Sequence, residues 1–478
     1  MASVSAATGP PPTRHTVLAE ADAAPYHSLR QRPVTRAERY ALGKSLRKRV
    51  PRKTLAEWTP PDDRPDPVQL IQANHRGRVE RLIPVRVGRM IASPYGFLRG
   101  TAVVMADDVA RLPSTGIMPV VCGDSHLGNF GFYASPERDL VIDLNDFDEA
   151  HPGGWEWDLR RLVASIWVAG RHNGAAEDDC AAAVRSCVSA YRTEVRRLAD
   201  EPLFSRSFTR LDVDRLAGET AGPLADQVRR SAVRARHRTS DRALPRFTEE
   251  VGGVRRIVEE PPLITRLPDR EADALSAALD DYLPTLSTHW RRVLGGYTIL
   301  DVAHKVVGVG SVGLRAYVAL LEGSSPEDVV FLQLKQARRS VLARYVHGES
   351  AWHAHQGQRV VEYQQALQTV SDPLLGWTTV NGRQFYVRQF RNMKGTIPLD
   401  AMDGKALIDY TGVVGQLLAK GHARTSGASM IAGYMGRSER VDDALCTFAR
   451  RYADQTEADH AALTAAVDKG QLPVERGV

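Results

Sequence analysis

The stretch from Met118 to Asp148 constrains the fold more than any other part of the chain. Residues 118–121 read as a short buried strand that breaks into a glycine-punctuated loop, Cys122-Gly123-Asp124-Ser125-His126-Leu127-Gly128-Asn129. Residues 130–133, a polar turn at 135–139 and residues 140–144 then form a β-hairpin. The hairpin ends in three carboxylates, Asp143, Asp146 and Asp148. Mg²⁺ takes one or two carboxylates plus phosphate oxygens, and an Asn and an Asp brought together from two loops supply such a set. Asn129 and Asp146 could form one such pair. Asp143 is the second choice as a ligand, because the return strand has to finish before a metal loop begins. The alternative is a polar loop beside an ordinary hairpin with a solvated acidic end.

At 478 residues the chain exceeds one compact core and suits two or three lobes. No apolar run is long enough to span a bilayer, and no basic-then-apolar signal opens the chain. The cysteines, Cys122, Cys180, Cys187 and Cys446, lack metal spacing, so a reduced, cytoplasmic protein is expected. A net charge of +6 favours anionic ligands weakly and gives no reason to expect nucleic acid.

Residues 1–24, rich in Ala, Pro, Ser and Thr, are expected to be disordered. Residues 30–53 carry ten Lys or Arg against one acid, Glu38. A solvated helix face or tail is the expectation there, with an RNA, membrane-phosphate or acidic-partner site as the alternative. A second basic run, 229–246, reads as a helix-loop, either plain surface or a mobile cover over an active site. Arg99 precedes the catalytic strand closely enough to contact a substrate or phosphate, or to pair with a nearby carboxylate. After the hairpin, Pro152-Gly-Gly turns the chain into an amphipathic helix in which Asp158 is placed to cap or to brace the catalytic loop.

A second informative stretch is Gly308-Val-Gly310-Ser311-Val-Gly313. Alone, such a glycine pattern is weak, because dinucleotide folds also use it. There the glycines open a helix, whereas here β-suited residues follow, then a turn, then Val329 to Lys335. In that last strand Val330, Leu332 and Leu334 share one face, and Phe331, Gln333 and Lys335 the other. Strand, glycine loop, strand and Lys-bearing strand resemble the phosphate-covering hairpin of a kinase amino-terminal lobe, in which backbone approaches phosphate and the Lys balances its charge. A helix around Glu362 should then supply a carboxylate partner for Lys335. Two strands joined by Asn381-Gly382 follow, and an amphipathic helix spans 405–422.

These elements resemble kinase-like phosphotransferases, most closely the aminoglycoside and choline kinase branch, but with the lobes in the wrong order. The glycine loop follows the catalytic loop instead of preceding it, as in a circularly permuted protein-kinase-like fold of the α+β class. The strings CGDSHLGNFG, NDFDEAHPGGWEWDLRRL, HKVVGVGSVGLR and FYVRQFRNMKG are in turn similar to the bacterial domain-of-unknown-function family 2252. Cys122 stands where small-molecule kinases usually carry His, and Gln336 where Glu is expected in this family. The resemblance implies ATP and Mg²⁺ as cofactors and an unidentified acceptor, a small-molecule hydroxyl rather than a protein. It implies Asp124 as base and Asn129 and Asp146 as metal ligands. Gly308, Gly310, Ser311, Gly313, Lys335 and Glu362 would form the nucleotide site. A nucleotide-binding pseudokinase or adaptor, and a kinase-fold AMP transferase, are the alternatives. The expected organisation is a basic arm at 1–66, a larger helical lobe at 67–290, a β-rich nucleotide lobe at 291–400 and returning helices at 401–478.

Overall fold

The computed structural model describes residues 34–477 except 212, 214–215, 217–221, 307, 309, 348–352, 401, 403 and 426, together with His15 and Thr16. Most of the segment expected to be disordered lies outside the described residues.

The architecture mixes α and β. Helices α1 (Arg36–Leu46), α2 (Pro67–Asn74), α3 (Ile83–Ile91), α4 (Pro94–Gly100) and α5 (Ala102–Ala110) lead into β1 (Val120–Val121). The hairpin β2 (Phe130–Ala134) and β3 (Leu140–Leu144) follows, then β4 (His151–Pro152), which pairs with β1. Next come α6 (Trp155–His172), α7 (Glu177–Asp200), α8 (Gly222–Arg236) and α9 (Ser240–Phe247). The second half holds β5 (Ile264–Arg266), α10 (Asp269–Tyr282), β6 (Thr298–Lys305), β7 (Ala316–Glu322), β8 (Val329–Gln336), α11 (Gln356–Leu367), β9 (Gly376–Val380) and β10 (Arg383–Gln389). The chain closes with α12 (Gly404–Arg424), α13 (Ala428–Met435) and α14 (Arg440–Asp468).

Strands β5 to β10 form one antiparallel sheet in the order β9-β10-β8-β7-β6-β5. Period-two alternation sorts β8 as its sequence dictates. Leu332 and Leu334 pack under α10 with Leu275, Leu279 and Tyr282, while Phe331 meets Ala243 of α9 on the opposite face. The β-rich lobe therefore begins near Ser240 and not at residue 291. Helices α9 and α10 supply the two apolar covers the sheet needs, and an amphipathic period alone does not say which lobe a helix will cover.

The larger lobe is built on α6, α7, α12, α13 and α14, which share one apolar core with β1, β2 and β3. Helix α12 packs along α7 and brings residues from late in the chain beside the loop after β1. The chain leaving β10 crosses back onto the hairpin, where Phe132 and Gly395 exchange backbone hydrogen bonds of 2.7 and 3.1 Å.

The basic arm is not a free appendage. A capping box between Thr35 and Glu38 starts α1. Gly43 lies against the Met430 carbonyl and Gly433 against that of Tyr40, so α1 and α13 pack backbone to backbone. Arg47 donates to the Tyr434 carbonyl and Arg52 to that of Met435, each at 2.8 Å. Those carbonyls end α13 without intrahelical donors, and arginines satisfy them. Nucleic acid or membrane is not needed to explain these charges.

Candidate active site

The loop after β1 is held open by a glycine. Gly123 has φ +79°, and a Cβ there would lie 2.1 Å from the Glu149 carbonyl oxygen. Its amide and that of Cys122 donate to the carboxylate of Asp158 on α6, at 2.9 and 2.6 Å. His422 of α12 touches the same carboxylate at 3.3 Å and Tyr191 of α7 at 2.7 Å. Asp158 is thus the brace its place in the sequence suggests. Asp124, next in the loop, is fixed by Arg161 at 2.5 Å and leaves part of its carboxylate facing the cleft.

Asn129 ties the two loops together. Its Nδ2 donates to the carbonyls of Asp124 and Asp146, and its Oδ1 accepts from the Asp146 amide at 2.7 Å. Cys122 adds a contact from Sγ to the Asp146 carbonyl at 3.3 Å, so the thiol still braces this loop. Asp143 is placed differently from the second-choice ligand expected. It is 2 % exposed, forms an ion pair with Lys420 of α12, and faces the lobe interior, because residue 143 still belongs to β3.

Lys335 reaches across from the sheet. Its Nζ lies 2.6 Å from Asp148 and 3.3 Å from Asp146. Burial raises Asp146, but Lys335 and Arg388 outweigh it and hold this carboxyl below the usual range. Asp148 is pushed up by burial and by the Asp146 charge, with Lys335 offsetting part of that. Asp148 also accepts from Ser311 of the glycine loop at 3.2 Å and from the Tyr386 hydroxyl at 3.0 Å. The carboxylate nearest Lys335 is therefore Asp148, a residue visible in the Asp-Phe-Asp string but not singled out there.

Glu362 does not pair with Lys335. It bonds His353 at 2.7 Å and Gln358 at 2.8 Å. The side of α11 turned to the cleft carries Arg359, which donates to the carbonyls of Asp148, Ala150 and Arg338.

The glycine loop hangs over this floor. Gly308 and Gly313 have φ +69° and +86°, and Arg78 donates to the carbonyls of Gly310 and Val312. Beneath lie two adjoining compartments of the cleft, both open to solvent. One contains Asp124, Asp148 and Glu149; the other contains Asn129, Lys335, Arg388 and Lys394. Asp146, His126, Arg99, Gly308 and Ser311 border both. Gly313, Asp143 and Glu362 line neither. Burial, reinforced by Arg388, pulls the Lys394 ammonium well below its ordinary value. Of the basic run at 229–246, Arg238 reaches the second compartment.

The donor set suits a divalent cation only in part. Among the described residues no trio of His, Cys, Asp or Glu gathers as a metal cage. Asp146 and Asp148 are held by one amine, which leaves two carboxylates for an ion whose other ligands come from phosphate and water.

Fold and site together define an α+β protein with a charged cleft between a helical lobe and an antiparallel sheet. The family described as uncharacterized protein conserved in bacteria (DUF2252) matches residues 78–466, and the chain belongs to it. No curated protein and no solved structure matches the chain. Among the described residues no helix is long and apolar enough to cross a membrane.

Proposed function

We propose that this protein is an ATP- and Mg²⁺-dependent phosphotransferase of circularly permuted protein-kinase-like fold. One observation carries the reading: Lys335, Asp146 and Asp148 meet beneath a glycine loop, in a cleft whose other wall holds Asp124. The lobes occur in reversed chain order, yet α12 returns to complete the catalytic one.

In this reading the glycine loop and Lys335 hold the triphosphate, and the polar lining of the second compartment suits phosphates. Mg²⁺ would neutralise charge between phosphate oxygens, held by Asp146 and Asp148. Asn129 keeps the Asp146 loop in place and offers the second lone pair of Oδ1. Asp124, oriented by Arg161, accepts the proton of the acceptor hydroxyl. The hydroxyl oxygen bonds to the γ-phosphorus, the bond to the bridging oxygen breaks, and ADP leaves.

The test uses ATP labelled at the γ or the α phosphate with a pool of hydroxyl metabolites. Label from γ alone should enter product, and Asp124→Asn should cut turnover by about a hundredfold to ten-thousandfold while nucleotide binding persists. Transfer from α instead would make the enzyme an AMP transferase. Binding without transfer to any acceptor would point to a nucleotide-sensing role. Unchanged Mg-ATP affinity in Lys335→Ala by calorimetry would overturn the nucleotide site.

A further inference from the structure

The compartment that holds Asp124 is also lined by Arg78, Arg86, Arg99, Arg338 and Arg339. Each of its carboxylates already has a partner outside the arginine group. Asp124 is bound to Arg161, Asp146 and Asp148 to Lys335, and Glu149 accepts from the Val341 amide at 2.7 Å. Among the described residues Arg78, Arg86, Arg99 and Arg338 form no ion pair with a carboxylate.

Arg86 is 1 % exposed and has no carboxylate partner among the described residues. It donates to the Gly100 carbonyl and the Met90 sulfur and faces His75, and its Nε has no hydrogen-bond partner. Arg78, 8 % exposed, donates to the carbonyls of Asn74, Gly310 and Val312 and to the Asn74 side chain. Arg338 donates to the Asn74 carbonyl. Arg99 lies over the Tyr95 ring at 6.0 Å, and its buried Nε is also unpartnered. Burial, then the charges of Arg86 and Arg338, pull Arg78 below its ordinary value, and Glu149 and Asp148 offset only part of that.

Burying a cation without a counter-charge costs several kcal/mol, and guanidinium is the group that binds phosphate or carboxylate in a two-pronged way. Carbonyl partners take up hydrogens of Arg78 and one of Arg86 but do not answer their charge. An arriving anion would.

We propose that the acceptor is itself an anion, a hydroxyl compound carrying a phosphate or carboxylate that docks on Arg78, Arg86, Arg99 and Arg338 beside Asp124. This rests on the phosphotransferase reading, because Asp124 marks which compartment receives the acceptor. The anion sets the hydroxyl against Asp124 while the nucleotide occupies the compartment of Lys335.

The experiment titrates inorganic phosphate, and in parallel acetate, into the full-length protein by calorimetry, with and without saturating Mg-AMP-PNP. Saturable binding of one or both anions, retained when nucleotide is present, is expected. Arg99→Gln/Arg338→Gln changes the two least buried members and spares the Arg78 contacts to the glycine loop. It should weaken that binding at least tenfold with an unchanged circular dichroism spectrum. Absence of saturable anion binding, equal binding in the double variant, or displacement by Mg-AMP-PNP would each overturn the proposal. In the last case the arginines serve the nucleotide's own phosphates. Anion binding by a protein that binds no nucleotide would sink the phosphotransferase reading, and the acceptor role with it, while leaving the anion site in place.

Discussion

Asp143→Asn separates a structural carboxylate from a metal-binding one. Asp143 and Lys420 are 2 % and 4 % exposed and pair across the junction of β3 and α12. Asp143 also accepts from the Leu144 amide at 3.0 Å. Burial, helped by Arg424, pulls the Lys420 ammonium down, and Asp143 is the main opposing charge. Removing the carboxylate charge leaves an ammonium in the interior, and losing one partner of a buried pair costs about 3–5 kcal/mol. Because the asparagine oxygen still accepts one hydrogen bond, the loss should lie near the low end, about 3 kcal/mol. That is a large part of a typical total of about 5–15 kcal/mol. In urea unfolding, the midpoint should fall while the slope stays unchanged. Asp143→Leu/Lys420→Met should recover most of the loss, since apolar replacements of similar volume can be neutral. A midpoint equal to wild type in Asp143→Asn would refute the reasoning, and all the more if Mg²⁺ dependence were lost.

Other outcomes follow from burial. His75, His126 and His304 are buried and each is pulled down to about 4, first of all by burial. In the unfolded chain they titrate near the ordinary value of about 6.5, so unfolding takes up protons below that pH. Their stabilising contribution is full above about pH 6.5 and is lost as pH falls toward about 4. His304, whose two ring nitrogens have no hydrogen-bond partner, contributes about 1 kcal/mol per pH unit around pH 5. Urea midpoints between pH 5 and 7 should therefore vary less steeply in His304→Phe, and an unchanged slope would contradict its neutral burial. Gly123→Ala should cost at least about 2 kcal/mol, from the positive φ and the Glu149 carbonyl in its path. A thermal midpoint within error of wild type would show that the loop has another low-energy form.

Much of the architecture was legible where local chemistry decides conformation. The Asn381-Gly382 turn has φ +48° and +72°, the pair a tight hairpin demands, and joins β9 to β10 as its sequence implies. The alternation in β8 correctly set Lys335 on the face opposite Leu332 and Leu334. What could not be read were choices made by packing. Helical period shows that α11 has an apolar face, but not that Arg359 instead of Glu362 turns to the cleft. Arg47 and Arg52 look solvated in sequence because their acceptors are carbonyls at the end of α13, far along the chain. Arg78 and Arg86 escaped notice because each sits in an ordinary helical or turn context, and only the fold gathers them.

The return of α12 also has a consequence for how the chain is made. Synthesis delivers Asp143 and Asp158 early, but their partners Lys420 and His422 are translated near the end. Until then the nascent larger lobe carries carboxylates and apolar faces with nothing to cover them. Its folding on the ribosome is therefore post-translational in effect, whereas the sheet and its covers, α9 and α10, are contiguous in sequence and complete themselves as they emerge. A message broken before codon 420 should yield a product with both loops and no lobe to hold them, a substrate for proteolysis.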